Sequence, residues 1–271
     1  MKKIIVLMAA AMFAAISSNA ATSDAERINS EGDWPKHLQG VCTDGKSIWW
    51  SHTVELSRTD LRGKVLACAK ELRWHHGDLC VVSGTVYVAV NHGKFNTEDR
   101  ADSWVYAYKG DDLSFIKRWK VPELCHGAGG ITYHDGHFFV VGGLPPTHDE
   151  NYVYEYTQDF AFVKRHVLHG WTKLGIQTAH CSGDRFYFGC YGGSNEVTGV
   201  TVPSLTLVAP TDLSRMEKVK AGTSVGMLHL NGRMWKAVCR PVDKKAVGKA
   251  RRDRVSLVSV GPEFERAACQ P

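Results

Sequence analysis

The chain contains five copies of one short pattern, in which an apolar segment meets a glycine turn and is followed by an aromatic segment. The copies are GVCTDGKSIWW from Gly40, DLCVVSGTVYV from Asp78, GITYHDGHFFV from Gly130, TAHCSGDRFYF from Thr178 and GMLHLNGRMWK from Gly226. The spacings between the turn glycines are 39, 52, 47 and 49 residues, measured at Gly45, Gly84, Gly136, Gly183 and Gly232. Strand repeats at such a period are typical of a β-propeller. We therefore predict an all-β fold, a five-bladed β-propeller of four-stranded blades.

The N-terminus has the pattern of a secretory signal. Lys2 and Lys3 precede an apolar run over residues 4–16, and Ser18-Asn19-Ala20 supplies small residues for cleavage. The run is too short for a permanent membrane span. We predict a signal peptide over residues 1–20, a leader segment over 21–36 and a single propeller domain over 37–271. The protein is then exported, to the periplasm or outside the cell, with no membrane span.

The charge of the chain is nearly balanced. Its formal net charge is +5, and +3 once Lys2 and Lys3 are removed. Nucleic-acid-binding proteins are usually more basic and carry their charge in patches. We therefore expect no nucleic-acid partner, and instead a monomer with a small-molecule or saccharide ligand, which could be acidic.

All eight cysteines follow the predicted signal peptide. Export makes disulfides plausible, but the sequence does not choose among the pairings. The repeat suggests two pairs, Cys42 with Cys80 and Cys239 with Cys269. The alternative is a set of buried, unpaired thiols in strands.

Histidines and one glutamine precede the inner strands of four blades. Each lies one to four residues before its repeat begins: His37, His75, His76, His126 and Gln177. A propeller brings the starts of its inner strands to one axis, so these side chains are expected to surround a small space. Three imidazoles and an oxygen ligand can hold a divalent cation. We predict manganese, zinc or calcium bound by His37, His76, His126 and Gln177. A polar site without metal, or a purely structural ring, are the alternatives.

Other residues are candidates for catalysis and substrate contact. We predict His75 as a general base and Asp78 as the group that orients a histidine, although Asp78 could instead cap a turn. Long loops over residues 92–100, 142–150 and 241–253 interrupt the repeats, and such loops commonly carry binding. On or beside the first two lie the predicted substrate-binding residues His92, Asp102, Trp104, Glu150 and Tyr152.

These loop residues also have simpler interpretations. The aromatic side chains suit packing between blades. Asp102 and Glu150 occupy equivalent positions, and paired carboxylates can cleave glycosides. The same equivalence is expected if both bind loop amides. His148 lies on the second loop and is expected to be peripheral.

Several stretches resemble an uncharacterised family of secreted bacterial five-bladed propellers: HLQGVCTDG, HHGDLC, VAVNHGKFN, HGAGGITYHDGHFFVVGGLPP and ENYVYEY. This resemblance covers essentially the whole chain after the predicted signal peptide, and it implies a fold but no activity. A weaker similarity links the axial residues to oligogalacturonate lyases, propellers whose metal is held by three histidines and one glutamine. Those lyases have seven blades, so a shared ligand set could be convergent.

Three functions follow as hypotheses. The first is an exported enzyme, a lyase or hydrolase, that acts on a saccharide at a metal-centred axial site. In a lyase the cation would bind a uronate carboxylate and stabilise the enolate-like intermediate. The second is a glycan- or ligand-binding propeller without catalysis. The third is a scaffold that presents its loops to a protein partner.

Overall fold

The structure, a computed structural model, describes residues 25–247 and 250–261. The predicted signal peptide lies outside these residues. The fold is all-β and consists of five small antiparallel sheets arranged as the blades of a propeller, which confirms the predicted fold class. Within the described ranges, no helix is long and apolar enough to cross a membrane.

The strands follow the repeats along the chain. Two short strands come first, β1 (Arg27–Asn29) and β2 (Trp34–Pro35). Blade 1 contains β3 (Gly40–Thr43), β4 (Ser47–Ser51), β5 (Leu56–Asp60) and β6 (Val65–Ala69). Blade 2 contains β7 (His75–Val82), β8 (Thr85–Asn91), β9 (Ser103–Lys109) and β10 (Phe115–Lys120). Blade 3 contains β11 (Ala128–His134), β12 (His137–Gly142), β13 (Glu150–Tyr156) and β14 (Phe162–His169).

Blades 4 and 5 depart from this simple order. Blade 4 contains β15 (Lys173–Ser182), β16 (Arg185–Tyr191), β19 (Leu205–Pro210) and β20 (Glu217–Val219), with a two-stranded arm formed by β17 (Gly193–Ser194) and β18 (Thr201–Val202). Blade 5 contains β21 (Met227–Leu230), β22 (Arg233–Pro241) and β23 (Arg252–Ser259).

The N-terminal segment completes blade 5. Strand β1 pairs with β23 at the outer edge of that sheet, and β2 also pairs with β23. Residues that the sequence suggested as a leader therefore join the last blade. The repeat pattern placed the outer strand of this blade over 264–268, which lies outside the described residues.

The turn glycines of the five repeats explain why the sequence predicted the strand ends well. Their φ angles are positive in every copy: Gly45 82°, Gly84 76°, Gly136 82°, Gly183 61° and Gly232 74°. Side chains with a Cβ rarely adopt this conformation, so glycine marks the hairpin between the first two strands of each blade.

Hydrophobic cores fill the junctions between neighbouring blades. Five buried clusters join blades 1 and 2, 2 and 3, 3 and 4, 4 and 5, and 5 and 1. Their largest fully buried side chains include Trp50, Tyr156, Phe138, Phe186 and Phe188. The aromatic strands therefore serve mainly as packing surfaces between blades.

The described cysteines are free thiols. Cys42 and Cys80 are buried and form no disulfide. Burial raises the pKa of both thiols well above the ordinary value, and for Cys42 the neighbouring Cys80 adds to this effect. The other suggested pair includes Cys269, which lies outside the described residues.

Candidate functional site on the loop face

The inner strands approach one another closely at the axis. Asp78 of β7 is 2% exposed, and its Oδ2 accepts a 2.8 Å hydrogen bond from the backbone N–H of Ala179 in blade 4. A Cβ on Gly40 of blade 1 would lie 2.0 Å from Asp78 Oδ1. Burial raises the pKa of Asp78 well above its usual value, while backbone N–H groups, that of Ala179 first, act in the opposite direction. Asp78 thus contacts three inner strands, and its catalytic role stays a prediction.

His76 lies in the core between blades. In the strand pairing it occupies the same position as Ala128 and Ile176, and all three side chains are at most 1% exposed. Its Nε2 is 2.7 Å from the hydroxyl of Tyr108. Burial lowers the pKa of His76 to about 4. The imidazole is therefore engaged inside blade 2.

Gln177, His37 and His75 have separate local contacts. Gln177 donates through Nε2 to the carbonyl of Leu174 at 2.9 Å. The Gln39 amide donates to His37 Nε2 at 2.8 Å. The His75 ring meets Phe95 edge-on, with 5.0 Å between centroids. Burial lowers the pKa of His75 to about 4, and the nearby His37 contributes to this shift.

These contacts do not fit one shared metal ion. Within residues 25–247 and 250–261, no group of three or more His, Cys, Asp or Glu side chains is arranged to hold a metal. His76 faces Tyr108 and Gln177 bonds to backbone carbonyls, so the four predicted ligands do not meet at one point in this arrangement. We derive no chemical step through a metal.

The loops between the second and third strands of blades 2 and 3 lie where the inner strands begin, and we call this side of the molecule the loop face. A group of side chains in blade 2, the blade-2 cluster, lies on it: Trp74, His92, Asp102, Trp104 and Tyr106. The His92 ring is stacked between Trp74 and Trp104, at centroid distances of 4.3 and 5.2 Å. Its Nε2 is 2.8 Å from the Tyr106 hydroxyl, and its Nδ1 is 3.4 Å from Asp102.

Cations cover the outer faces of this stack. The Arg73 guanidinium lies 4.3 Å from the Trp74 ring centroid, and that of Arg118 lies 4.8 Å from the centroid of Trp104. Lys120 pairs with Asp102 at 3.1 Å. Three of the predicted substrate contacts therefore interact with one another and with these cations: His92, Asp102 and Trp104.

Blade 3 carries an equivalent group, the blade-3 cluster: His126, His148, Glu150, Tyr152 and Tyr154. The strand pairing matches Tyr154 with Tyr106, and Arg165 with Arg118. Tyr152 donates through its hydroxyl to Glu150 at 2.9 Å, and the Arg165 guanidinium lies 4.4 Å from the Tyr152 ring centroid. The two blades thus present the same arrangement of carboxylate, aromatic ring, tyrosine and arginine.

The blade-3 cluster differs in being open. The rings of His126 and His148 meet edge-on, with 5.2 Å between centroids. His126 is 6% exposed, and its Nε2 has no hydrogen-bond partner among the described residues. A cavity lined by His126, Tyr152, Tyr154 and loop glycines has room for about one water molecule. His126 and Tyr152 occupy the positions that Trp74 and Trp104 hold in blade 2. Imidazole and phenol rings are smaller than indoles, and this size difference leaves the cavity.

The electrostatics of His126 suit hydrogen bonding to a neutral group. Burial lowers the pKa of its imidazole, and His148 lowers it further. The carboxylates of Glu98 and Asp99 oppose this shift. At neutral pH the ring is uncharged, so Nε2 can donate or accept one hydrogen bond.

Sequence reasoning found part of this cluster and missed the rest. His126, Glu150 and Tyr152 were predicted as site residues, and the structure brings them together. His148, which we expected to be peripheral, contacts His126. Tyr154 and Arg165 were not predicted as site residues. The match of ENYVYEY with the third strand of blade 2 could have indicated Tyr154, and the match of FVKRHV with FIKRWK could have indicated Arg165.

Comparison with known proteins supports the fold and no activity. No family model and no curated protein matches the chain. A xylan β-1,4-xylosidase from Bacillus halodurans C-125 is similar in structure, with a TM-score of 0.56 and 12% identity over 82% of this chain and 53% of that chain. The match thus spans about half of the xylosidase.

Two further solved structures align less well. A protein of unknown function from Bacteroides caccae gives a TM-score of 0.45 and 12% identity, over 73% of this chain and 74% of that chain. The computationally designed Ika4 protein gives 0.39 and 7%, over 72% and 97%.

Proposed function

We propose that this propeller is an exported, monomeric protein that binds a saccharide on its loop face, at the blade-3 cluster. The observation that carries the proposal is His126, a buried imidazole that lines a cavity and whose Nε2 has no partner in the described chain. Buried polar groups are normally hydrogen-bonded, so an unpaired one beside a cavity indicates a group or water that completes it.

The chemistry of the cluster favours a hydroxylated ligand. Sugar hydroxyls both donate and accept, and the cluster offers a carboxylate, two imidazoles and two phenols. The cavity is too small to enclose a sugar ring. We infer that one hydroxyl enters beside His126 while the rest of the ligand lies across Tyr152 and Glu150. The xylosidase neighbour is consistent with a saccharide ligand but carries no site from that protein to this one.

Binding to a glycan array, followed by calorimetry with the best saccharide, tests the proposal. We expect Glu150→Gln and His126→Ala to weaken binding about tenfold or more, because each removes a strong hydrogen-bonding group from the site. Asp102→Asn is the matched control, since Asp102 is the equivalent residue of the closed blade-2 cluster. Absence of any saccharide ligand, or equal loss in all three variants, would contradict the proposal.

Catalysis at the same cluster is a second candidate. The neutral His126 could act as a general base, because its Nε2 is free to accept a proton. His75 is less suited at neutral pH, since burial lowers its pKa to about 4. The test is incubation of the array ligand and of polyuronides with the protein, with chromatography of the products. Cleavage that His126→Ala abolishes supports an enzyme, whereas binding without cleavage supports a binding module.

A further inference from the structure

A second and larger cavity lies where the propeller closes, between blades 1 and 5. We call it the seam cavity, and its volume is about 460 Å³. Trp34 and Arg252, neighbours in the pairing of β2 with β23, form one wall. Glu55, from the turn after β4, and Lys70 and Glu71, which follow β6, line it from the side of blade 1. This volume is within the usual range for small-molecule sites.

The charged side chains of the wall fall into two groups. Two carboxylates already have partners in the protein. Glu31 Oε2 accepts a hydrogen bond from the Val65 N–H at 3.1 Å, and Asp33 forms an ion pair with Arg254 at 2.9 Å. The remaining four form no ion pair or side-chain hydrogen bond within the described ranges: Glu55, Lys70, Glu71 and Arg252. The cavity therefore presents two unpaired carboxylates and two unpaired cations.

Of these four side chains, Glu55 is half-buried, whereas Lys70, Glu71 and Arg252 are exposed to solvent. The pKa of Glu55 is raised because burial disfavours its charged form, and Lys70 and Arg252 only partly oppose that shift. The other three charges affect the pKa of Glu55, but the four side chains lie too far apart to form ion pairs with one another. A ligand that carries charges of both signs could form charge-assisted hydrogen bonds with both kinds of side chain at the same time.

Trp34 supplies an apolar surface beside these charges. One face of its indole is stacked on His52, with 4.5 Å between centroids and 6° between planes. The side chain is 5% exposed, and its Nε1 has no acceptor in the part of the chain that the structure describes. Val65 lines the cavity as well. The wall thus combines the indole of Trp34, the apolar side chain of Val65 and charges of both signs.

We infer that the seam cavity binds a small zwitterion of the free amino acid type. Its ammonium group would interact with Glu55 and Glu71, its carboxylate with Lys70 and Arg252, and its side chain with Trp34. This site is separate from the blade-3 cluster and does not depend on the function proposed there.

Calorimetry with a panel of free L-amino acids tests the inference, with glucose as an uncharged comparison. The best amino acid is then compared with its N-acetyl and carboxamide derivatives, each of which lacks one charge. Both derivatives should bind about tenfold more weakly or worse, because charge-assisted hydrogen bonds are the strong ones. Glu55→Gln and Arg252→Gln should weaken the parent amino acid by a similar factor.

Matched controls exclude general effects of charge. Glu196→Gln and Arg215→Gln make the same changes at exposed residues that do not line the cavity, and they should leave the affinity unchanged. Circular dichroism and thermal unfolding confirm that each variant is folded. The inference is overturned if no amino acid binds, if a blocked derivative binds as well as its parent, or if variants inside and outside the cavity have equal effects.

Discussion

Burial lowers the pKa of several histidines, most strongly to about 3 for His52 and to about 4 for His75, His76 and His180. In the unfolded chain each would titrate near its ordinary value of about 6.5. Between these values the unfolded state binds more protons than the folded state. The free energy of unfolding should therefore be highest above about pH 6.5 and fall as the pH is lowered towards 4.

His76→Gln isolates one of these groups. Glutamine can still donate to the Tyr108 hydroxyl but does not titrate. Between pH 7 and pH 5 the wild type should lose about 2 kcal/mol more unfolding free energy than the variant. Urea unfolding at both pH values measures this difference. His169→Gln, the same substitution at a side chain that is 82% exposed, is the control for the change of residue type. Identical pH dependence in wild type and His76→Gln would contradict a neutral, buried His76.

At the residue scale, the predicted metal ligands also show how strongly the direction of a side chain depends on its exact position in a strand. The five candidate residues lie at offsets of one to four positions from their repeats, and we treated these positions as equivalent. Successive side chains of a strand point to opposite faces, so an offset of one residue reverses a side chain's direction. His76 consequently shares its position with Ala128 and Ile176, which are core residues.

At the scale of strands, the inner strands lie so close together at the axis that only glycine fits at some positions. A Cβ on Gly40 would lie 2.5 Å from the Cα of Asp78, and on Gly77 it would lie 2.2 Å from the carbonyl oxygen of Gly129. Backbone atoms cannot move aside as a flexible side chain can. The inner strands of a five-bladed ring are therefore held close by their residue types as well as by the Asp78 hydrogen bond.

Gly40→Ala should destabilise the fold by about 3 kcal/mol, because the added methyl group overlaps the backbone of β7. The midpoint of urea unfolding measures the effect. Gly261→Ala is the control, since a Cβ there would meet nothing within 4 Å, and it should be neutral. An unchanged midpoint for Gly40→Ala would show that the inner strands are further apart than described.

Strand order was predictable wherever the pattern of turn glycine and aromatic strand was intact. In blade 4 the repeat pattern predicts Val197–Val202 as the third strand, and this prediction is wrong. Leu205–Pro210 takes that place, and part of the predicted segment forms the small arm. Both segments contain valine and threonine, so composition could not distinguish them. For blade 5 the repeat pattern placed the outer strand over 264–268, outside the described residues, and did not indicate that β1, from the other end of the sequence, pairs with β23.

At the scale of the whole molecule, the ring places two related clusters side by side on the loop face. In blade 2, His92 and its flanking indoles fill the space, whereas in blade 3 the smaller rings of His126 and Tyr152 leave it open. The sequence predicted the shared strands and the long loops. It could not predict which cluster is closed, because that depends on how the loop histidines pack in three dimensions.

The most direct test is an NMR titration of the histidine side chains in the ¹⁵N-labelled protein, using the saccharide selected on the array. His126→Ala and His92→Ala assign the two imidazoles. We predict that ligand shifts the Nε2 resonance of His126 and leaves that of His92 unchanged, because only the first is free to bond to a hydroxyl. A shift confined to His92, or none in either ring while calorimetry detects binding, would contradict a ligand site in blade 3.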